Sequence, residues 1–145
     1  VRIAVLADTH DRLPLHVRDA IANADEIWHL GDVCSEGVIE LLEATGRPLR
    51  VVRGNCDNNL RWPLTLDFER EGFRVQLIHI PPRVPPADVD LLFHGHTHVP
   101  RNELVGATHF YNPGCITRPN RGAPASYAWL ELRRGESPTW RLVLV

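Results

Sequence analysis

Residues 2–10 read Arg2-Ile3-Ala4-Val5-Leu6-Ala7-Asp8-Thr9-His10. The unbroken apolar run from Ile3 to Ala7 has no polar face, which is the pattern of a strand covered on both sides in a parallel sheet. It stops at Asp8 and His10, side chains that bring chemistry rather than bulk. The arrangement recurs twice: Ile27-Trp28-His29-Leu30 runs into Gly31-Asp32, and Leu49 to Arg53 runs into Gly54-Asn55-Cys56-Asp57. Between these strands the spacing predicts a helix from about Pro14 to Asn23, since proline is tolerated in a first turn, with Val17, Ala20, Ile21 and Ala24 as its apolar stripe. It predicts a second helix capped by Ser35, carrying Val38, Ile39, Leu41 and Leu42 inward and stopped by Gly46 and Pro48. The order is βαβαβ. Ligands of parallel α/β sheets bind beyond the carboxyl ends of the strands, so the three polar clusters are expected to converge.

The second half changes character. Leu64 to Arg70 and Phe73 to Ile80 read as a hairpin turning at Glu71-Gly72. Leu91-Leu92-Phe93 is a short strand ending in His94-Gly95-His96-Thr97-His98. Strands are also predicted over Thr108 to Tyr111, Ser126 to Leu132 and Trp140 to Val145, with a turn at Arg134-Gly135. Helices early and strands late point to two sheets packed face to face with helices outside. Pro81-Pro82-Arg83-Val84-Pro85-Pro86 leaves no room for a regular helix. The whole chain, 1–145, is read as a single domain.

Composition bounds the function classes. At 145 residues, with 43% hydrophobic and 23% charged, the chain is of ordinary globular type. A net charge of −2 gives no basic surplus for nucleic acid or anionic membrane. All 16 cationic side chains are Arg, as GC-rich coding would produce. No apolar run approaches the roughly 20 residues of a membrane span. The N-terminus lacks a basic region and cleavage pattern, and three cysteines, Cys34, Cys56 and Cys115, do not suggest a disulfide framework. A cytoplasmic setting is expected, and the lack of any Met is read as loss of the initiator.

Five of the eight histidines, His10, His79, His94, His96 and His98, lie in or beside strand ends. With Asp8, Asp32 and Asn55 they offer carboxylate, imidazole and amide donors, a mixture suited to borderline divalent metals. Asp8-x-His10 and His96-x-His98 would each place two donors on one face of an extended segment. Asp32, at a sharp strand-end turn, is the natural bridging carboxylate. His16, His29 and His109 have no such company and are assigned structural roles, as is His94.

Taken in order, Asp8-x-His10, Gly31-Asp32, Gly54-Asn55-Cys56-Asp57, His79 and Gly95-His96-Thr97-His98 resemble the calcineurin-like metallophosphoesterase superfamily. The Asn-Cys-Asp variant, the small size and Asn112-Pro113-Gly114 resemble its compact bacterial and archaeal phosphodiesterase branch, of YfcE type. The resemblance runs from Asp8 to about Pro119. It implies a four-layer α/β/β/α sandwich of two mixed sheets with outer helices. It also implies two divalent transition-metal ions, Mn before Fe, Ni, Co or Zn. Asp8, His10 and His98 would hold one, Asn55, His79 and His96 the other, with Asp32 between them. Asp32, Asn55, Cys56 and His96 are assigned to catalysis on a small phosphate ester, most simply a phosphodiester. A hydroxide formed between the ions would attack in line.

Departures from the family pattern shape the expectation. Cys56 stands where relatives with Gly-Asn-His carry the imidazole that protonates the leaving group, and a thiol, here expected to be acidified by the ions, is a poor general acid. Esters with good leaving groups should therefore be preferred. Ile80-Pro81-Pro82 follows His79 where the family usually has Gly, so the pocket wall there differs. Arg83 is read as solvent-exposed, Cys115 as packed, and Asn112-Pro113-Gly114 as a turn supporting the site. The alternatives are a phosphomonoesterase or nucleotide pyrophosphatase on the same core, or a non-catalytic scaffold like the related retromer subunit. A homo-oligomer is possible. No membrane or long nucleic-acid partner is expected, because no basic stripe with interleaved aromatics is present.

Overall fold

The computed structural model describes all residues, 1–145. The first strand, β1 (Arg2–Leu6), is followed by α1 (Leu15–Ile21), β2 (Glu26–His29), α2 (Glu36–Glu43) and β3 (Leu49–Val51). These three strands pair in parallel, as the βαβαβ reading predicts. Seven further strands follow: β4 (Thr65–Arg70), β5 (Phe73–Ile78), β6 (Leu91–Phe93), β7 (Arg101–Val105), β8 (Thr108–Asn112), β9 (Ser126–Glu131) and β10 (Thr139–Leu144).

The strands form two mixed five-stranded sheets, ordered β10-β9-β1-β2-β3 and β4-β5-β6-β8-β7. The chain therefore builds the β1 sheet, leaves it for the second sheet, and returns. β9 closes antiparallel on the free edge of β1, with Ala4 opposite Trp129. The expected hairpin at Glu71-Gly72 is present, pairing Arg70 with Phe73.

Alternation along the strands sorts the core into layers. Ile3, Val5, Trp28 and Leu30 face Val75, Leu77, Phe93 and Tyr111 across the gap between the sheets. Ala4, Leu6, Ile27 and Trp129 point the other way, against Val17 and Ile21 of α1 and Val38 and Leu42 of α2. β1 is thus buried on both faces, which is why its sequence shows no alternation. On the outer face of the second sheet, Leu92 and Phe110 pack with Ile78 of the same sheet and with Val89 from the segment before β6. The segment over that face contains Pro81, Pro82, Pro85 and Pro86 and forms no helix, so this layer of the sandwich is made by loop. At the end of the sheets remote from Asp8, buried Glu26 on β2 receives Arg70 from the opposite sheet at 2.6 Å and Trp28 Nε1 at 3.0 Å.

Both helices are shorter than the sequence reading, and strand ends differ from it by a few residues in either direction. α1 spans Leu15–Ile21, with Pro14 in the capping position, rather than Pro14 to Asn23. Ser35 does cap α2, but by backbone conformation only, without a side-chain hydrogen bond. β7 was not foreseen. It is an edge strand whose middle residues, Asn102, Glu103 and Leu104, are exposed, and an exposed edge carries no hydrophobic alternation to read.

Candidate metal centre

The carboxyl ends of β1, β2 and β3 and of β5 and β6 meet at one end of the sandwich. Asp8 and His10 follow β1, Asp32 follows β2, Asn55 follows β3, His79 follows β5, and His96 and His98 follow β6. The structure brings all seven together, in two overlapping groups.

In the first, His10 Nε2 and His98 Nε2 are 3.2 Å apart. Asp8 Oδ1 lies 3.3 Å from His98 Nε2 and 3.8 Å from His10 Nε2. In the second, Asn55 Oδ1 is 2.9 Å from His79 Nε2 and 3.0 Å from His96 Nδ1. Asp32 spans both: its Oδ2 is 3.8 Å from His10 Nε2 and its Oδ1 is 3.4 Å from His79 Nε2.

Two observations fit this donor set to cations. Asp8 Oδ1 is buried with no hydrogen-bond partner, a costly state for a carboxylate oxygen unless a positive charge reaches it. The imidazoles are also oriented from behind. His79 Nδ1 donates to the Leu30 carbonyl at 2.7 Å and His98 Nδ1 to the Arg118 carbonyl at 2.6 Å. In both rings this leaves Nε2 as a lone pair directed into the cluster, the arrangement by which an outer partner sets the tautomer of a ligating histidine.

The backbone departs from the extended segments expected around Asp8-x-His10 and His96-x-His98. Asp8, His10, Asp32, His96 and His98 have φ of 53°, 42°, 54°, 68° and 58°. Left-handed backbone is uncommon for non-glycine residues and gathers at functional sites. Here the kinks, not strand alternation, aim the donors. Glycine is required beside them: a Cβ on Gly54 would lie 2.1 Å from Asp32 Oδ1.

Charge states follow from this packing. Burial raises Asp8 to about 6, with neighbouring Asp32 adding to the effect against His79 and His98. Burial would raise Asp32 too, but a proton on His79 Nε2 and the Cys56 amide outweigh it in ion-free protein and hold this carboxyl well below the usual range. Asp32 and Asp8 in turn raise His79 against the effect of its burial, and a cation bound at Nε2 would take that proton's place. Burial lowers His10 and His96, which favours the neutral, ligating form. At Cys56 the thiol shifts up, through burial and the nearby Asp32 carboxylate. The protein alone therefore does the opposite of the acidification expected beside cations.

Around the ligands stand supporting residues, of which Asp57 is the one whose role the sequence reading missed. Asp57 Oδ2 accepts the Asp32 and Gly54 amides, and Oδ1 accepts the Cys34 amide, each at 2.8 Å. One carboxylate thus ties the loop after β2 to the loop after β3. Its place in Gly54-Asn55-Cys56-Asp57 was the available clue. Asn112, fully buried, donates to the Gly95 carbonyl at 3.1 Å and Thr97 Oγ1 at 3.0 Å, and accepts the Gly114 amide at 2.8 Å, so the expected supporting turn is present. Cys115 Sγ donates to the Asp8 carbonyl at 3.1 Å from a buried position. His94 packs edge-on to Phe110, Arg83 is exposed, and His29 is buried between Thr9 and Gly31.

The sequence model of the calcineurin-like phosphoesterase superfamily domain matches residues 1–135. The chain belongs to the calcineurin-like phosphoesterase superfamily. Within it, the chain is 30% identical to phosphodiesterase YfcE of Escherichia coli (strain K12), over 90% of this chain and 88% of that protein. It is 35% identical to a probable metallophosphoesterase of Methanothermobacter thermautotrophicus, over 85% of this chain and 81% of the relative. These similarities place this superfamily member in the YfcE-type branch. Its fold is also that of a zinc-complexed Vps29 from Entamoeba histolytica, with a TM-score of 0.81 and 22% identity over 99% of each chain.

Proposed function

We propose that this member of the superfamily is a phosphodiesterase that works with two divalent ions, one held by Asp8, His10 and His98 and the other by Asn55, His79 and His96, with Asp32 shared. Metal-dependent hydrolysis of phosphate esters follows from membership of the superfamily. The finer reading rests on one observation above all: the buried, unpartnered Asp8 Oδ1 facing the Nε2 atoms of His98 and His10.

When bound, a pair of divalent ions supplies charge neutralisation at the phosphoryl oxygens and a nucleophile drawn from water near neutral pH. The side chains do the rest. Asp8 and Asp32 return two negative charges against four positive ones, leaving a net attraction for an anionic ester. Asp57 and Asn112 hold the ligand loops, so the donors need little reorganisation. Cys56, exposed at the rim, presents a thiol rather than an imidazolium and gives the departing group little proton assistance. Diesters and activated esters suit such a site better than esters of poor leaving groups. Manganese is the ion proposed first, on the family resemblance; nitrogen and oxygen donors without thiolate equally admit Fe, Co, Ni or Zn.

The test uses purified protein, its metal content, and turnover of bis-aryl and mono-aryl phosphates with added Mn²⁺. Faster turnover of the diester is expected, with Asp8→Ala and His98→Ala folded but inactive. Full metal occupancy with no turnover of either ester would overturn the proposal and favour a scaffold role.

A further inference from the structure

The proposed sites use only one nitrogen of His10. Its Nε2 faces His98, Asp8 and Asp32, whereas Nδ1 points to the other side of the ring, 3.6 Å from Cys34 Sγ. Cys56 Sγ completes a group in which all three atoms lie within 4.8 Å of one another. The Cys34–His10 separation is that of two tetrahedral ligands, and Cys56 lies within reach of both. Zinc–sulfur and zinc–nitrogen bonds of about 2.3 and 2.0 Å put N and S about 3.5 Å apart and two sulfurs about 3.8 Å apart.

We propose that Cys34, Cys56 and His10 Nδ1 form a separate site for one thiophilic cation, of the Zn²⁺, Cd²⁺ or Cu⁺ class, behind the carboxylate–imidazole cluster. Two features support it. First, the two sulfurs are held in place by the loops' own hydrogen bonds. Asp57 grips the Cys34 and Gly54 amides, and the Cys56 amide is bound to Asp32 Oδ1 at 2.8 Å. Cys34 itself adopts a φ of 66°, a left-handed conformation that the surrounding bonds impose. Second, the site is open: Cys56 is exposed and Cys34 only partly covered, so an ion can enter and water can fill the remaining coordination position.

The electrostatics separate the two kinds of occupant. Asp57 Oδ1 accepts the Cys34 amide and Asp32 Oδ1 accepts the Cys56 amide, each at 2.8 Å, so a carboxylate lies beside each cysteine. These carboxylates attract a cation, which releases the thiol protons to solvent as it binds; when an ion also occupies Nε2, the Nδ1 proton leaves too and His10 becomes a bridging imidazolate. Thiolate donors select soft ions, which distinguishes this site from the thiolate-free carboxylate–imidazole cluster on the other face of His10. Because one ring serves both, a soft ion on Nδ1 acts directly on a ligand of the proposed catalytic pair.

The test is a Cd²⁺ titration of the reduced full chain in a phosphine reductant, following sulfur-to-cadmium charge-transfer absorption and bound ion per chain. The wild type should develop the absorption. Cys34→Ser with Cys56→Ser should lose it and bind one ion fewer, while Cys115 is unchanged in both proteins. Equal absorption and stoichiometry in the double variant, or no absorption from folded wild type, would overturn the proposal. Mn²⁺ binding measured on the same double variant reports the hard-ion cluster alone, so failure of one site is not mistaken for failure of the other.

Discussion

Asn55 Oδ1 and His79 Nε2 lie 2.9 Å apart, although Asn55 is in the loop after a strand of one sheet and His79 follows a strand of the other. Their contact, with His96 Nδ1 on the same amide oxygen, makes the second proposed ion site a junction between the sheets. Replacing Asn55 with Ala should therefore cost one ion and leave the group around Asp8 intact. Elemental analysis should fall from two ions to one per chain, and diesterase activity by about a hundredfold or more. Retention of both ions would remove Asn55 from the ligand set.

Gly54 tests how closely the Asp32 loop must approach its neighbour. A Cβ there would meet Asp32 Oδ1 at 2.1 Å and Asp32 N at 2.2 Å, both far inside contact distance. Gly54→Ala should displace the shared carboxylate and abolish activity. Gly37 in α2 is the control, because a Cβ there meets only Ser35 Oγ, at 3.6 Å. Gly37→Ala should keep full activity and raise stability by up to about 1 kcal/mol, as read by urea denaturation.

In the proposed mechanism Cys56 sets the chemical limit of the site. Introducing an imidazole by Cys56→His should speed esters with poor leaving groups more than activated ones. The measurement is the slope of log kcat/KM against leaving-group pKa across a series of aryl diesters. It should flatten in the variant. An unchanged slope would show that position 56 does not reach the leaving oxygen.

His29 gives the fold a pH dependence separate from the ions. Its Nδ1 accepts the Gly31 amide at 3.2 Å and its Nε2 bonds Thr9 Oγ1 at 3.1 Å, an arrangement that needs the neutral ring. Burial lowers its pKa to about 4, below the roughly 6.5 of an unfolded histidine. The unfolded chain therefore binds more protons between these values. His29's contribution to stability is complete above about pH 6.5 and falls as the pH drops toward 4, by up to about 3 kcal/mol. His94, lowered to about 4 mainly by burial, acts in the same direction, whereas Asp8, raised to about 6, opposes both in ion-free protein. The difference in denaturation free energy between wild type and His29→Gln, taken at pH 5 and pH 7, isolates the His29 share. A difference independent of pH would refute the neutral assignment.

Much was legible in the chain itself. The uninterrupted run Ile3 to Ala7 marked a strand covered on both faces. Polar residues ending the apolar strands marked the edge where side chains leave the core, so the location of Asp8, His10, Asp32, Asn55, His79, His96 and His98 could be read before any coordinates. These are local signals, because burial imposes its period on neighbouring residues along one strand. Strand partnership is not local. Nothing in Ser126 to Glu131 specifies that β9 lies beside β1 rather than continuing the second sheet. Tertiary packing alone decided that return, the left-handed kinks that aim the donors, the grip of Asp57 on two loops, and the approach of Cys34 to His10. Each depends on atoms far apart in the chain being fixed within a few ångströms of one another, a relation set by the packing of both sheets rather than by any single stretch of sequence.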